Sequence, residues 1–243
     1  MPAIAATGVQ PVLWGEQTRA AIRQASHILI SVAPDSSGDP TLTAFDTEVR
    51  AAKPDWVGYL STTAVYGDHD GDWVSEDTPL TPSTARGVAR VKAEEAWRSL
   101  GLPLHIFRLA GIYGPGRGPF EKVRDGSARR ILKPGQVFSR IHVDDIAGAL
   151  AASVARPAPG TTYNICDDDP APPQDVLTYA AQLLGLPPPP AVAYESAQMS
   201  EMARSFYAEN KRVRNDRMRR DLGYALKYPD YKTGLQALVE SLL

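Results

Sequence analysis

Short apolar runs alternate along the chain with segments of helical periodicity. The segments LTAFDTEVRAA and GVARVKAEEAWRSLG repeat their apolar residues at helical spacing. Nearly continuous apolar strands that alternate with helices are typical of a parallel sheet covered by helices on both faces. The pattern therefore predicts an α/β fold. The strand candidates are VLW (12–14), HILISVA (27–33), WVGYLST (56–62), LHIFRLAGIYG (104–114) and TTYNICD (161–167).

The alternation is regular in the first part of the chain and weaker in the last third. The helical segment 86–100 ends at Gly101 and is followed directly by an apolar strand pattern, as expected for a helix stop. The proline-rich stretches DPAPP and LPPPP divide a helix-rich final third. We therefore expect a core over residues 1–155 and a smaller lobe over 156–243, to which 118–140 contributes.

Composition and charge exclude several classes of protein. Hydrophobic residues make up 43% of the 243 residues and charged residues 22%, which argues against a disordered or fibrous chain. The net charge of −2 gives no general attraction to nucleic acid or to anionic membranes. The single cysteine, Cys166, excludes an intrachain disulfide, and neither a signal peptide nor an apolar run of about 18 residues is evident. We expect a soluble cytoplasmic protein that acts on a small molecule and has no nucleic-acid or membrane partner.

Five motifs in order along the chain carry a family resemblance. They are YLSTTAVYG, a helix bearing Lys92, RLAGIYGPGR, RIHVDDIAGAL and TTYNICDDD. In this order they resemble the extended short-chain dehydrogenase/reductase superfamily, the NAD-dependent epimerase/dehydratase-like proteins. SVAPDSSGDP, RGVARVKAEEAW and LGYALKYPDYKTGL are similar to an atypical branch in which the active-site tyrosine is often missing. The resemblance implies a Rossmann-type nucleotide-binding core, a C-terminal substrate lobe, NAD or NADP as cofactor, and a possible homodimer through helix 86–100.

The resemblance also implies catalytic residues. Thr62 matches the family's Ser/Thr, and Lys92 matches the lysine that holds the nicotinamide ribose. The family's tyrosine precedes this lysine by four residues, where this chain has Val88, which has no proton to donate. Tyr66 is the nearest candidate for a replacement acid and Tyr113 is a weaker one. Alternatively, the Thr62 hydroxyl caps its own turn and Lys92 pairs with an acidic neighbour on the helix surface.

Cofactor contacts are expected where the strands end. By the resemblance, Ser31, Val32, Ala33 and Pro34 follow a strand and approach the adenosine side. Thr62, Lys92 and the backbone at Ala110 and Ile112 then face the nicotinamide. We expect no metal site, because the acidic stretch 68–79 lacks the glycine and glutamate of a calcium loop.

The family's GxGxxG strand-turn-helix, which binds the cofactor pyrophosphate, is absent from the sequence. We therefore expect the opening βαβ unit to be missing, the segment 27–33 to form a bare apolar edge, and NAD(P) binding to be weakened or lost. The leading hypothesis is an NAD(P)-dependent oxidoreductase or epimerase-like protein that acts on a carbonyl or sugar-nucleotide-like small molecule. The alternatives are a non-catalytic nucleotide-sensing or partner-binding module of the same fold, and an inactive fragment from a mis-called start.

Overall fold

The computed structural model describes residues 2–240. Its strands are β1 His27–Ile30, β2 Trp56–Thr62, β3 Trp73–Val74, β4 Leu104–Leu109, β5 Gly111–Tyr113, β6 Arg130–Leu132, β7 Arg140–His142, β8 Thr162–Ile165, β9 Ala191–Ala193 and β10 Arg212–Val213. Its α-helices are α1 Pro2–Ala5, α2 Glu16–Gln24, α3 Pro40–Ala52, α4 Ala85–Arg98, α5 Phe120–Arg124, α6 Val143–Ala155, α7 Pro173–Leu183, α8 Glu201–Tyr207 and α9 Tyr231–Glu240.

The central sheet has the strand order β1-β2-β4-β8, and all of its pairings are parallel. All six residues of β4 are buried, because this strand has a neighbour on each side and a covered surface on both faces. The predicted α/β fold with a parallel sheet is confirmed.

Helices cover both faces of this sheet, and the side chains of β2 show how. Val57 and Tyr59 point to one face, where they pack in a cluster with Phe45 of α3 and Trp97 of α4. Trp56 points to the other face and belongs to the cluster that includes residues of α6. The period-2 alternation of a strand thus buries apolar residues on both sides.

The last third of the chain joins the sheet before it forms its own cluster. β8 pairs with β4, so the central sheet continues past the predicted boundary at residue 155. β6 pairs with β9, which brings the segment 118–140 to the final third. A separate cluster of buried apolar residues links α5, α7 and α9. The division into two domains stays a prediction.

Two expectations about the first part of the chain have different outcomes. The run 12–14 is not a strand: it precedes α2, pairs with no strand in the part of the chain that the structure describes, and leaves Trp14 57% exposed. β1, in contrast, pairs only with β2 among the described residues, so it forms an edge of the sheet. Ile30 of β1 is buried, whereas Leu29 is 47% exposed.

Within residues 2–240, no helix is both long and apolar enough to cross a bilayer. Cys166 is fully buried, and its thiol donates to the carbonyl oxygen of Val213. Burial raises the pKa of this thiol well above its ordinary value, which makes it an inert packing residue.

Candidate functional site

A cavity of about 690 Å³ opens at the carboxyl ends of β1, β2 and β4. In open α/β sheets this edge is where ligands bind, because the loops that follow the parallel strands converge there. The cavity walls come from these strand ends, from α4, and from the segments 137–140 and 205–213. They include Ser31, Ser61, Thr62, Thr84, Arg86, Arg90, Ala110, Ile112, Tyr113, Arg117, Arg140, Phe206, Glu209 and Lys211.

Thr62 is the last residue of β2 and lines the cavity. Its side-chain oxygen accepts a hydrogen bond from the backbone N–H of Ala64, at 3.3 Å, and so caps the 3₁₀ turn Thr63–Tyr66. A hydroxyl that accepts one such bond still has its own proton to donate. The two interpretations of Thr62, turn cap and ligand donor, are therefore compatible.

Close packing fixes which side of α4 faces the cavity. Thr84 caps the helix by accepting from the N–H of Gly87 at 3.1 Å. Gly87 lies against the 3₁₀ turn after β2, and a Cβ atom there would lie only 2.7 Å from the carbonyl oxygen of Ala64. This contact turns the flanking Arg86 and Arg90 toward the cavity.

The structure places Val88 and Lys92 outside the walls of this cavity. Both side chains are exposed, and neither lines the cavity. Each helical residue turns the chain by about 100°, so Val88 lies about 200° around α4 from Arg86, as Lys92 does from Arg90. Within the described residues, Lys92 has no ion pair with an acidic neighbour either. The pair spaced by four residues that faces the cavity is Arg86 and Arg90.

Aromatic rings lie beside both of these arginines. The guanidinium carbon of Arg86 lies 4.7 Å from the ring centre of Phe206 in α8. Arg90 donates through Nη1 to the carbonyl oxygen of Leu60, at 2.7 Å, and to the hydroxyl of Tyr59, at 3.2 Å. The Nε of Arg90 is buried and has no hydrogen-bond partner within residues 2–240.

Tyr66, the candidate for a replacement acid, lies outside the cavity walls. Its side chain is fully buried; its hydroxyl donates to Asn164 Oδ1, at 2.6 Å, and accepts from Arg108 Nη1, at 2.9 Å. Burial raises its pKa to about 12, despite the opposing charge of Arg108. Tyr66 therefore has a structural role in the core behind the site.

Glu94 fixes α4 to the sheet beside Tyr66. Its buried carboxylate accepts hydrogen bonds from Ser61 of β2, from Arg108 of β4 and from Arg98 of its own helix. Burial by itself raises the pKa of Glu94, but the hydrogen bonds and charge of Arg108 outweigh it and lower this pKa. The ionised carboxylate thus holds α4 in place along one cavity wall.

Tyr113 supplies the one phenol among the cavity walls described. Its hydroxyl lies 3.4 Å from the carbonyl oxygen of Asp230, and its ring packs edge-on against His142. Burial and the negative charges of Asp167 and Asp145 raise its pKa above the ordinary value. A phenol in this state keeps its proton at neutral pH.

The expected cofactor contacts divide into two groups. Ser31, Ala110 and Ile112, which follow β1 and β4, line the cavity. Val32 and Ala33 are exposed beyond β1, and Pro34 is half-buried; the segment 32–34 lies outside the cavity walls. The contact of residues 31–34 with an adenosine group stays a prediction.

Sequence reasoning missed the buried pair of Glu209 and Lys211. Lys211 Nζ lies 2.6 Å from Glu209 Oε2 and also donates to the carbonyl oxygen of Gly67. Ser83 donates to the second carboxylate oxygen of Glu209. The pair joins the final third to the loop after β2, a contact between distant parts of the chain that no local pattern indicates.

A second cavity, of about 270 Å³, adjoins the first. The two share Ile112, Tyr113, Arg117 and Arg140 as wall residues. Arg140 donates through Nη1 to the carbonyl oxygens of Phe138 and Ala171. The other walls of the second cavity are apolar or aromatic apart from the loop 118–119, and they include Val176, Tyr231 and Leu235.

Comparison with known proteins places this arrangement in a family. A model of the NAD dependent epimerase/dehydratase family matches residues 47–166, which include β2, α4 and β4. Protein YeeZ of Escherichia coli K12 is 33% identical over 175 residues, covering 71% of this chain and 58% of YeeZ. A 3-diazoavenalumate denitrifying reductase of a Streptomyces species is 30% identical over 174 residues, covering 67% of this chain and 55% of the reductase.

The matches to these two relatives thus span a little over half of their length. A solved structure of a functionally unknown conserved protein from Silicibacter pomeroyi DSS is 60% identical and superposes with a TM-score of 0.94. The match covers 100% of this chain and 86% of that one. The chain belongs to the NAD-dependent epimerase/dehydratase family.

Proposed function

We propose that the 690 Å³ cavity is the nicotinamide end of a dinucleotide site. On this proposal the protein is an NAD(P)-dependent oxidoreductase or epimerase-like enzyme, and its substrate is a carbonyl or sugar-nucleotide-like small molecule. The observation that carries the proposal is the convergence of the ends of β1, β2 and β4 on one cavity. The family description and the reductase among the relatives support it.

The residues of the cavity fit the nicotinamide half of such a cofactor. Thr62 offers a hydroxyl proton at the end of β2, and Ser31 offers another after β1. Ala110 and Ile112 add a small, apolar surface after β4, against which a flat ring packs without steric conflict. When bound, the cofactor supplies the hydride chemistry, and these residues orient its ring.

The test is a calorimetric titration of the protein with NADH and NADPH. Thr62→Val removes the hydroxyl with little change of volume, and we expect it to weaken binding by about 0.5–1.5 kcal/mol, the contribution of a typical hydrogen bond. Thr47→Val, on the exposed surface of α3, is the matched control and leaves binding unchanged. Absence of binding below millimolar concentrations, or equal effects of the two substitutions, would argue against the proposal.

A second function is a non-catalytic module of the same fold that senses a nucleotide. The observation that favours it is the chemistry of α4, which presents Arg86 and Arg90 to the cavity and no phenol. A guanidinium stays protonated in proteins, so it cannot act as the acid that the family's tyrosine provides. Turnover of NADPH in a broad carbonyl screen, abolished by Thr62→Val, would exclude a pure sensor.

A further inference from the structure

The walls of the cavity carry an excess of positively charged side chains. Elsewhere in the protein, Arg98 and Arg108 pair with Glu94, and Arg217 pairs with Asp77. Four arginines of the cavity wall form no ion pair with any carboxylate among residues 2–240; they are Arg86, Arg90, Arg117 and Arg140. The acidic wall residue Glu209 is already paired with Lys211.

Among these four arginines, Arg86 and Arg90 form a pair on one helix. They lie one helical turn apart on the same side of α4, where like charges destabilise a helix. Arg90 uses Nη1 for two hydrogen bonds, but its buried Nε has none. Its other terminal nitrogen, Nη2, has no hydrogen bond among the described residues, so it can donate to a bound acceptor.

We propose that Arg86 and Arg90 together bind an anionic group of the substrate, a carboxylate or a phosphate, beside Thr62. The assignment of this anion to the substrate, and not to another ligand, rests on the proposed function. A guanidinium presents its donors in a planar fork that matches the oxygens of either group. The phenyl ring of Phe206 stacks near Arg86 and limits the directions in which its donors point.

The position of Arg86 and Arg90 places the bound anion near Thr62 at the end of β2. Arg90 contacts the backbone of Leu60, two residues before Thr62, so the anion lies close to the end of β2. The second cavity, which shares Ile112 and Tyr113 with the first, leaves room for the apolar part of the same molecule. The substrate class is therefore a small anionic molecule with a compact apolar portion.

The test is calorimetric titration with inorganic phosphate and, separately, with benzoate. Saturable binding of one or both is expected; which of the two binds more tightly distinguishes a phosphate from a carboxylate ligand. Arg86→Gln and Arg90→Gln should each weaken binding by about tenfold or more, the effect of losing a charged hydrogen bond. Lys92→Gln is the matched control: it removes a positive charge from the opposite side of the same helix and leaves binding unchanged.

Two further measurements test the role of the arginine fork and separate substrate binding from cofactor binding. Arg86→Lys retains the charge without the fork, so it should bind the anion more tightly than Arg86→Gln at an unchanged melting temperature. Saturating NADPH should leave phosphate binding intact; displacement of phosphate by NADPH would assign the arginines to the cofactor and overturn the proposal. Absence of saturable anion binding, or equal weakening by Lys92→Gln, would overturn it too.

If NADPH does not bind but phosphate binds through the arginines, the proposed function fails and anion binding at the pair stands.

Discussion

The guanidinium of Arg108 on β4 lies 2.8 Å from the carboxylate of Glu94 on α4, and both side chains are almost fully buried. This contact fixes the helix that carries Arg86 and Arg90 against the strand that leads to Ala110. A displaced α4 would change the shape of the cavity wall. The pair therefore links the stability of the fold to the geometry of the candidate site.

Glu94→Gln should destabilise the protein by about 3–5 kcal/mol, because it leaves the Arg108 charge buried without a partner. Urea denaturation measures the loss as a change in the free energy of unfolding. The matched control is Asp46→Asn, which breaks an exposed ion pair with Arg50 at a similar distance of 2.8 Å. We expect the control to cost about 0–1 kcal/mol. Equal losses would contradict a structural role for the buried pair.

Asp167 should make stability fall as the pH rises. Burial raises its pKa to about 8, although the charge of Arg140 acts in the opposite direction. A carboxyl group whose pKa is higher in the folded state stabilises the fold below its unfolded pKa of 3.8 and loses this contribution progressively up to about pH 8. Asp167→Asn should therefore gain stability relative to the native protein between pH 4 and 8. Parallel curves of unfolding free energy against pH would contradict this.

The edge strand β1 should mediate self-association of the chain. Its backbone pairs with β2 on one side only among the described residues, and Leu29 presents an exposed apolar side chain. Such edges template pairing with another strand, and a lysine on the edge opposes it. Light scattering should show oligomers for the native chain and a shift toward monomer for Leu29→Lys. Val154→Lys, on the exposed surface of α6, should not change the oligomers. A stable monomer of the native chain would contradict the prediction.

Tyr113 is the side chain to test for proton transfer. If it donates the proton in a reduction, Tyr113→Phe should lower kcat by about 10²–10⁴-fold and leave the NADPH dissociation constant unchanged. The measurement is steady-state oxidation of NADPH with any carbonyl that the native protein reduces. An unchanged kcat would assign Tyr113 to packing against His142 and leave water as the proton source.

Much of the fold was predictable because it depends on local patterns. The apolar runs of β2 and β4 identify these segments as buried strands from their own residues alone. Gly101 marks the end of α4 to within three residues. The run 12–14 has the same apolar character but no partner strand, and pairing is a property that a single apolar run does not encode.

The site was less predictable because its residues depend on distant contacts. The phase of α4 is set by Glu94, which pairs with Arg108, and by Gly87, which packs against the turn after β2. A glycine inside a helix indicates a close backbone approach, and it was the available signal that Arg86 and Arg90, not Lys92, face the cavity. The burial of Tyr66 was not predictable from its neighbours in the chain, because its partner Asn164 is 98 residues away in the sequence.

The most direct test of the central claim is a crystal structure of the protein grown with saturating NADPH. The account predicts that the nicotinamide ring lies in the 690 Å³ cavity, with its ribose or amide within hydrogen-bond distance of Thr62 and its ring against Ala110 and Ile112. A nicotinamide ring bound outside this cavity, or a crystal without bound cofactor at saturating NADPH, would contradict the claim.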